Sequence, residues 1–198
     1  MSVSHGHNAT SGVYDSSAFF VRHDPSTHEF LFFGDVEPDT LSPRPRTINV
    51  WRAAAAKIPF TLSTIFIECS WPLGRPDDSL FGHLSPAHLA DELTALATEV
   101  VMVRKNGAKD SRNESRPTRK KSRSNPLSPE SLHGALDGVR VFVTHCKDGE
   151  KIYNRPINHI ITEQVRALVE AKQLGAQILA VDQAMHIGAF LTFFIRLV

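Results

Sequence analysis

The segment Leu62-Ser-Thr-Ile-Phe-Ile-Glu68 is one of three short apolar runs that each end in an acidic residue or a histidine. The other two are Glu29-Phe-Leu-Phe-Phe-Gly-Asp35 and Val139-Arg-Val-Phe-Val-Thr-His145. Runs of this length, rich in Phe, Val and Ile, predict strands that are buried on both faces of a sheet. The polar groups at their ends should gather at one edge, where open α/β sheets bind ligands. The sequence therefore predicts an α/β fold with a site at that edge.

Two helices complete the α/β pattern. Ser85 is suited to cap the first helix, and Pro86 is suited to its first turn. A second helix is predicted from about Asn158 to Gln173, followed by another strand over residues 176–181. The apolar residues of the first helix recur at helical spacing, namely Leu89, Leu93, Leu96, Ala97 and Val100.

The charge of the chain is distributed unevenly. Residues 104–124 hold nine basic residues against two acidic ones, net +7, which leaves a net charge of −6 for the rest of the chain. Residues 104–132 have almost no large apolar side chains, so we predict a basic disordered insertion there. Residues 1–103 and 133–188 should form one domain, which the length of the chain allows. The apolar tail, residues 189–198, carries no motif that assigns it a structure.

The cysteines and the termini bear on the location of the protein. Cys69 and Cys146 lack the spacing of a zinc knuckle or a disulfide framework, which favours a reducing, cytoplasmic compartment. The longest apolar stretch, residues 187–198, is too short to span a bilayer and contains Arg196. The net charge of +1 gives no argument for nucleic acid or membrane as a partner. We therefore expect a soluble protein.

Three side chains are candidate metal ligands. His5, Asp35 and His145 are ligand types that suit zinc or manganese, but they lie far apart and share no helical or strand spacing. A single histidine after an apolar strand is more often a hydrogen-bonded structural residue. Spacing alone therefore leaves the structural and the metal-binding interpretation open.

Longer motifs narrow the choice. The motifs are Val3-Ser-His-Gly6, Asp15-Ser-Ser-Ala-Phe-Phe20, Phe33-Gly-Asp-Val-Glu-Pro-Asp39, Ser63-Thr-Ile-Phe-Ile-Glu-Cys-Ser-Trp71, Gly82-His-Leu-Ser-Pro-Ala-His-Leu89 and Val143-Thr-His-Cys-Lys-Asp148. Their order along the chain resembles that of class II cyclic-nucleotide phosphodiesterases, in particular the fungal low-affinity cyclic AMP type. This family is similar in architecture to ribonuclease Z, and the resemblance implies a metallo-β-lactamase-like αβ/βα sandwich.

The resemblance also implies roles for single residues. His5 would ligate one divalent metal ion, His145 a second, and Asp35 would bridge both, with zinc the expected metal. His83 would lie beside the scissile phosphate as a hydrogen donor, and Glu68 would orient it. The implied reaction is hydrolysis of 3′,5′-cyclic AMP to 5′-AMP, with the cyclic nucleotide as substrate. No pattern in the sequence indicates the oligomeric state.

The sequence departs from the pattern of the metallo-β-lactamase superfamily at one point. The signature His-x-His-x-Asp-His, which supplies most ligands of both metals, does not occur in the 198 residues, and His5-Gly-His7 is the nearest string. Only three ligands are then available for two metals. We therefore expect that the N-terminal half of the sandwich is missing and that the chain is the C-terminal part of a parent enzyme. Alone, it should bind metal weakly and hydrolyse little.

Two other functions fit parts of the pattern. A tRNA 3′-processing nuclease has the same fold, although its substrate needs a basic docking arm, whereas the predicted domain is acidic. A non-catalytic cyclic-nucleotide-binding remnant would retain half of a site. Trp71 could stack on a purine and Arg75 could pair with phosphate, but a Trp packed in a loop explains the segment equally well.

Overall fold

A computed structural model describes residues 1–8, 12–110, 127–147, 154–190 and 193–196. The strands are β1 (Ser2–Asn8), β2 (Gly12–Arg22), β3 (Glu29–Phe33), β4 (Leu62–Glu68), β5 (Arg140–Thr144), β6 (Gln177–Ala180), β7 (His186–Phe190) and β8 (Phe193–Arg196). The α-helices are α1 (Thr47–Ala55), α2 (Pro86–Asp110) and α3 (Ile157–Ala171). Short 3₁₀ turns lie at Asp77–Ser79 and Pro129–Leu132.

The strands β1 to β6 form one mixed sheet in sequence order. The pairs β1–β2 and β2–β3 are antiparallel, whereas β3, β4, β5 and β6 are parallel to one another. Ile65 of β4 lies opposite Leu31 on one side and Val141 on the other. Parallel neighbours in register bring their carboxyl ends to one edge of the sheet. The predicted α/β class is confirmed, and the three predicted strands lie side by side.

All three helices pack on one face of this sheet. Alternate strand residues point toward them, as Ile65 and Ile67 do in β4, because successive side chains leave a strand on opposite faces. Within the described ranges, no helix combines the length and the apolar character needed to cross a bilayer. The helical side of the core includes Trp51, Leu89, Leu93, Leu96, Ile161 and Val165.

The other face of the sheet carries a smaller aromatic cluster. Phe66 of β4 stacks on Phe142 of β5 with ring centroids 5.0 Å apart, and Ile187 of β7 packs against them. The αβ/βα sandwich implied by the resemblance has two large sheets between outer helices. The described residues instead supply one large sheet with helices on a single face, together with the small β7–β8 sheet.

The structure corrects the limits of the predicted insertion, residues 104–132. Helix α2 continues to Asp110, beyond Val101, the last of its residues in the main core. Arg, Lys and Ala favour helix without needing burial. At the other end, Leu132 is buried against the main core. Residues 111–126 lie outside the described residues. The apolar tail contributes β8 and the end of β7 to a two-stranded antiparallel sheet.

Asp39 caps helix α1, which the sequence did not reveal. Its Oδ1 accepts hydrogen bonds from the amides of Arg46 and Thr47 (2.9 and 3.0 Å), and its Oδ2 accepts one from Ile48 (2.8 Å). The residue directly before the helix, Arg46, makes no capping bond with its side chain. A carboxylate several residues upstream therefore satisfies the free amides of the first turn.

Glu92 joins α1, α2 and the Asp39 loop inside the core. Its carboxylate accepts hydrogen bonds from Nε1 of Trp51 (2.7 Å) and from the amide of Asp39 (2.9 Å). Burial raises the pKa of Glu92 to about 7, although these two donors act in the opposite direction. Glu92 is thus a buried carboxyl group that connects α1, α2 and the segment around Asp39.

Candidate active site

Three polar side chains meet at the carboxyl edge of β3, β4 and β5. Asp35 follows β3, Glu68 is the last residue of β4, and His145 follows β5. Because these strands are adjacent and parallel, the ends lie together as predicted. An open cleft of about 850 Å³ is lined by all three residues.

Asp35 lies between two histidines. Its Oδ1 is 2.7 Å from Nδ1 of His145, and its Oδ2 is 3.6 Å from Nε2 of His5. About two fifths of the Asp35 side chain is exposed (39%), so the carboxylate can be reached from solvent. A carboxylate with a histidine at each oxygen is suited to bridge two cations.

His145 occupies a left-handed backbone conformation, with φ of 54°. Histidine is among the residues that tolerate this region better than most. The Ser70 hydroxyl lies 2.9 Å from the carbonyl oxygen of His145, and the Ser70 carbonyl accepts a hydrogen bond from the Lys147 amide (2.8 Å). These contacts hold the turn after β5 against the turn after β4.

His5 reaches the site from the sheet edge strand β1. Its Nδ1 lies 3.0 Å from the carbonyl oxygen of Gly82, and the β1–β2 register shifts between Ser4 and His7. The loop and the strand touch through glycines, since a Cβ on Gly82 would lie 2.7 Å from the Cα of Gly6. Gly82 also has a φ of 78°, which favours glycine. The backbone contact therefore brings His5 next to the residue after Gly82.

That residue, His83, forms a buried pair with Glu68. His83 Nδ1 is 2.8 Å from Oε1 of Glu68, and the side chains are 5% and 1% exposed. Glu68 also accepts a hydrogen bond from the Val36 amide (3.1 Å), and Ser70 Oγ lies 2.7 Å from its other oxygen. With Nδ1–H committed to the carboxylate, Nε2 is the atom that His83 presents to the site.

Lys147 was not recognised as a site residue from the sequence. Its Nζ lies 2.6 Å from Nε2 of His83, and 5.6 Å from the centre of the Trp71 ring. The residue does belong to the Val143–Asp148 motif, but a lone lysine after a strand has no spacing that marks it. The three-dimensional contact, not the pattern, identifies it.

The nitrogen and oxygen atoms of these residues are close enough for metal ligation. One potential ligand atom from each of His5, Asp35 and His83 lies within 4.8 Å of the others, and the same holds for Glu68, His83 and His145. The ring centroids of His5 and His145 lie 4.9 and 5.2 Å from that of His83. Imidazole and carboxylate donors suit zinc, so the donor set fits a divalent metal. The structure thus brings together all five residues singled out from the sequence.

Cys146 lies beside these residues but offers no thiolate at neutral pH. Burial raises the pKa of its thiol to about 12, and the charge of Glu68 acts in the same direction. Cys69 is fully buried, and burial raises the pKa of its thiol as well. Both are free cysteines.

A second cleft, of about 890 Å³, is lined by His5, Gly82 and His83 and so adjoins the candidate site. Tyr14 and Phe81 also line the cleft and are 47% and 68% exposed. The site therefore has room for a ligand larger than a phosphate group.

Known proteins resemble this chain along most of its length. The family model for class-II cAMP phosphodiesterases matches residues 1–183. The chain is 49% identical over 86 residues to a 3′,5′-cyclic-nucleotide phosphodiesterase of Schizosaccharomyces pombe, which covers 43% of this chain and 25% of that protein. It is 29% identical over 176 residues to 3′,5′-cyclic-nucleotide phosphodiesterase 1 of Saccharomyces cerevisiae, which covers 87% and 39%.

A solved structure extends the likeness to three dimensions. The crystal structure of unliganded yeast PDE1 is similar with a TM-score of 0.66 and 28% sequence identity, covering 91% of this chain and 42% of that one. The chain thus spans between 25% and 42% of the lengths of these relatives.

Proposed function

The chain belongs to the class-II cAMP phosphodiesterase family, and we propose that its protein hydrolyses 3′,5′-cyclic AMP to 5′-AMP at the edge of the sheet. The observation that carries the proposal is the position of Asp35 between His5 and His145, directly beside the buried Glu68–His83 pair. Metal ions that polarise the phosphate and a group that protonates the leaving oxygen both accelerate opening of a cyclic phosphodiester. Their proximity supports this chemistry.

His5, Asp35 and His145 would hold two zinc ions, with Asp35 shared between them. When bound, such a pair supplies polarisation of the phosphate and an activated water near neutral pH. Asp35 can serve both positions because its two oxygens face different histidines. Its partial exposure leaves room for the phosphate to approach.

His83 would protonate the leaving oxygen. Hydrolysis breaks the bond between phosphorus and the 3′-oxygen, a water oxygen joins the phosphorus, and one proton has to reach the 3′-oxygen. Glu68 holds Nδ1–H and Lys147 contacts Nε2, so as the acid His83 would carry a second proton, on Nε2, and give that one to the 3′-oxygen. The water that attacks the phosphorus releases the proton that restores it. A positioned acid of this kind contributes about 10²- to 10⁴-fold to the rate.

Lys147 would offset the charge of the phosphate. Its ammonium contacts Nε2 of His83, whereas Glu68 contacts Nδ1. A cyclic phosphodiester carries one negative charge, and a charge-assisted hydrogen bond from an ammonium is stronger than a neutral one. The Glu68 carboxylate and the Lys147 ammonium thus contact different nitrogens of the His83 imidazole ring.

A chimera tests the proposal. The Saccharomyces cerevisiae phosphodiesterase would receive this chain in place of the 39% of its length that aligns with it. We expect the chimera to hydrolyse cyclic AMP, and the same chimera with Asp35→Ala or His83→Ala to lose activity. Cyclic GMP and precursor tRNA serve as comparison substrates.

The isolated chain provides the second arm of the test. Residues 1–198 should bind zinc and cyclic AMP weakly, with little turnover, because His5, Asp35 and His145 are only three ligands for two metals. Failure of the chain to bind either zinc or cyclic AMP, together with an inactive but folded chimera, refutes the proposed function.

A further inference from the structure

We infer that the ring of Phe81 is the surface on which the purine base of the bound nucleotide stacks, and that Arg75 and Trp71 position it. This inference rests on the proposed function, since it concerns the far end of the same ligand. It assigns a binding role to a loop residue that no sequence motif suggested.

Phe81 is exposed where a ligand would lie. Phe81 is 68% exposed and lines the cleft that also contains His5 and His83. Ligand clefts are lined mainly by apolar and aromatic side chains with a few polar groups, and an exposed ring beside the candidate site fits that description. Phe81 is also two residues before His83 in the chain.

The backbone of Phe81 is held in an uncommon conformation. Its φ is 54°, in the left-handed region that bulky residues rarely adopt. Such conformations persist only where the surroundings enforce them, and they cluster at binding sites. The next residue is Gly82, whose carbonyl contacts Nδ1 of His5.

Arg75 and Trp71 stack on each other and contact the segment before Phe81. The Arg75 guanidinium lies 3.7 Å from the centre of the Trp71 ring and 5.6 Å from that of Phe81. Trp71 Nε1 donates to the Leu80 carbonyl (3.1 Å), and Arg75 Nε donates to the Ser79 carbonyl (2.6 Å). Both side chains therefore fix the backbone just before Phe81.

This arrangement changes the role that the sequence suggested for Trp71. One face of its indole is covered by the Arg75 guanidinium, so the ring acts as a support in the loop. The exposed aromatic surface of the loop is that of Phe81. A purine would therefore stack on Phe81, while Trp71 and Arg75 hold the loop in place.

The charge of the cleft favours the base rather than the phosphate next to Phe81. Asp77 and Asp78 line the cleft together with Phe81. Carboxylates repel a phosphate but accept hydrogen bonds from exocyclic amino groups, which adenine carries at N6. The phosphate would then lie at the histidines and Lys147, and the neutral base would lie toward Phe81.

The test uses the fluorescent analogue 2-aminopurine riboside 3′,5′-cyclic monophosphate, titrated into the zinc-loaded chain and into the zinc-loaded chimera. Stacking of 2-aminopurine on an aromatic ring quenches its emission. The wild-type chain should quench the emission on binding. Phe81→Ala should abolish the quenching and weaken binding by roughly tenfold or more, since stacking on one side chain contributes at that level. Phe81→Trp should restore both.

Phe60→Ala is the matched control. Phe60 is 80% exposed but precedes β4, at the opposite edge of the sheet from the site. This variant should bind like the wild type. Unchanged zinc binding by Phe81→Ala establishes that its metal site is intact.

The outcomes separate this inference from the proposed function. If the wild-type chain binds the analogue and Phe81→Ala binds and quenches equally well, the stacking surface is refuted while the proposed function stands. If neither the wild-type chain nor the folded chimera binds the analogue or cyclic AMP, and the chimera is inactive, both are overturned.

Discussion

The Nζ atom of Lys147 lies 2.6 Å from Nε2 of His83, and Oε1 of Glu68 lies 2.8 Å from Nδ1 of the same ring. The imidazole is therefore held between a buried acid and a cation. Glu68 fixes the tautomer and the ring plane, while Lys147 contacts the other ring nitrogen, Nε2. A ligand that reaches Nε2 thus meets the ammonium at the same time.

Replacing Lys147 should weaken binding of the cyclic nucleotide. Lys147→Met removes one charge-assisted hydrogen bond to the phosphate, so we expect about a tenfold or greater loss of cyclic AMP affinity. Lys147→Arg should keep much of the affinity because it keeps the charge. Calorimetry with the zinc-loaded protein measures this. Lys172→Met, which breaks an exposed pair with Asp91, should leave the affinity unchanged, and equal affinity of Lys147→Met would contradict the assigned role.

Asp35→Asn should remove metal binding. The substitution keeps the shape of the side chain but removes the charge shared by His5 and His145. Since even residues that only orient a ligand change metal affinity by 10- to 100-fold, loss of this carboxylate should cost at least about 100-fold. Competition with a zinc-binding dye gives the affinity.

The chain offers a matched control for that variant. Asp91 also forms an ion pair, with Lys172 at 3.2 Å, but on an exposed surface of α2. Asp91→Asn should therefore retain zinc affinity. Equal losses in the two variants would show that Asp35 has no special part in metal binding.

Asp39→Ala should destabilise the fold without affecting the metal site. Three amides at the start of α1 lose their acceptor, which costs about 1 to 2 kcal/mol of unfolding free energy. Urea unfolding measures the change. Asp24→Ala, in the exposed turn between β2 and β3, should change stability little. A wild-type unfolding curve for Asp39→Ala would rule out its capping role.

Glu92 should make stability depend on pH. Burial raises its pKa from 4.5 to about 7, so between these values the folded chain keeps a proton that the unfolded chain releases. Unfolding free energy should therefore fall as pH rises from 4.5 to 7, by up to about 3 kcal/mol from this group.

Glu92→Gln isolates that contribution, because glutamine does not titrate. The difference in unfolding free energy between wild type and Glu92→Gln should shift by about 3 kcal/mol between pH 4.5 and pH 7.5, against the wild type at the higher pH. Contributions of the histidines cancel in this comparison. A difference that stays constant with pH would show that Glu92 ionises normally in the folded chain.

Much of the sheet edge that carries the candidate site could be predicted from the sequence. The runs that end at Asp35, Glu68 and His145 are short, apolar and buried on both faces, so their period and length identify them as strands. Helix α2 begins at Pro86 as its cap and apolar spacing indicate. Neighbouring parallel strands then bring the three polar ends together.

Other elements gave weaker signals for physical reasons. Strand β1, Ser-Val-Ser-His-Gly-His-Asn, is largely polar because it lies at the sheet edge. Helix α1 contains Thr, Ile, Val and Trp, which favour strands, and its cap is Asp39 rather than the residue before it. Lys147 joins the site only through a contact between distant segments.

The glycine contact between β1 and the His83 loop limits how this sequence can vary. A Cβ on Gly82 would lie 2.7 Å from the Cα of Gly6, and one on Gly6 would lie 3.2 Å from the Cα of Gly82. Gly6 is buried in this contact, and both glycines have a positive φ. A larger residue at Gly82 would push the two elements apart and so disturb the alignment of His5 with His83. Sequence change in this site is therefore restricted at two positions that carry no functional group.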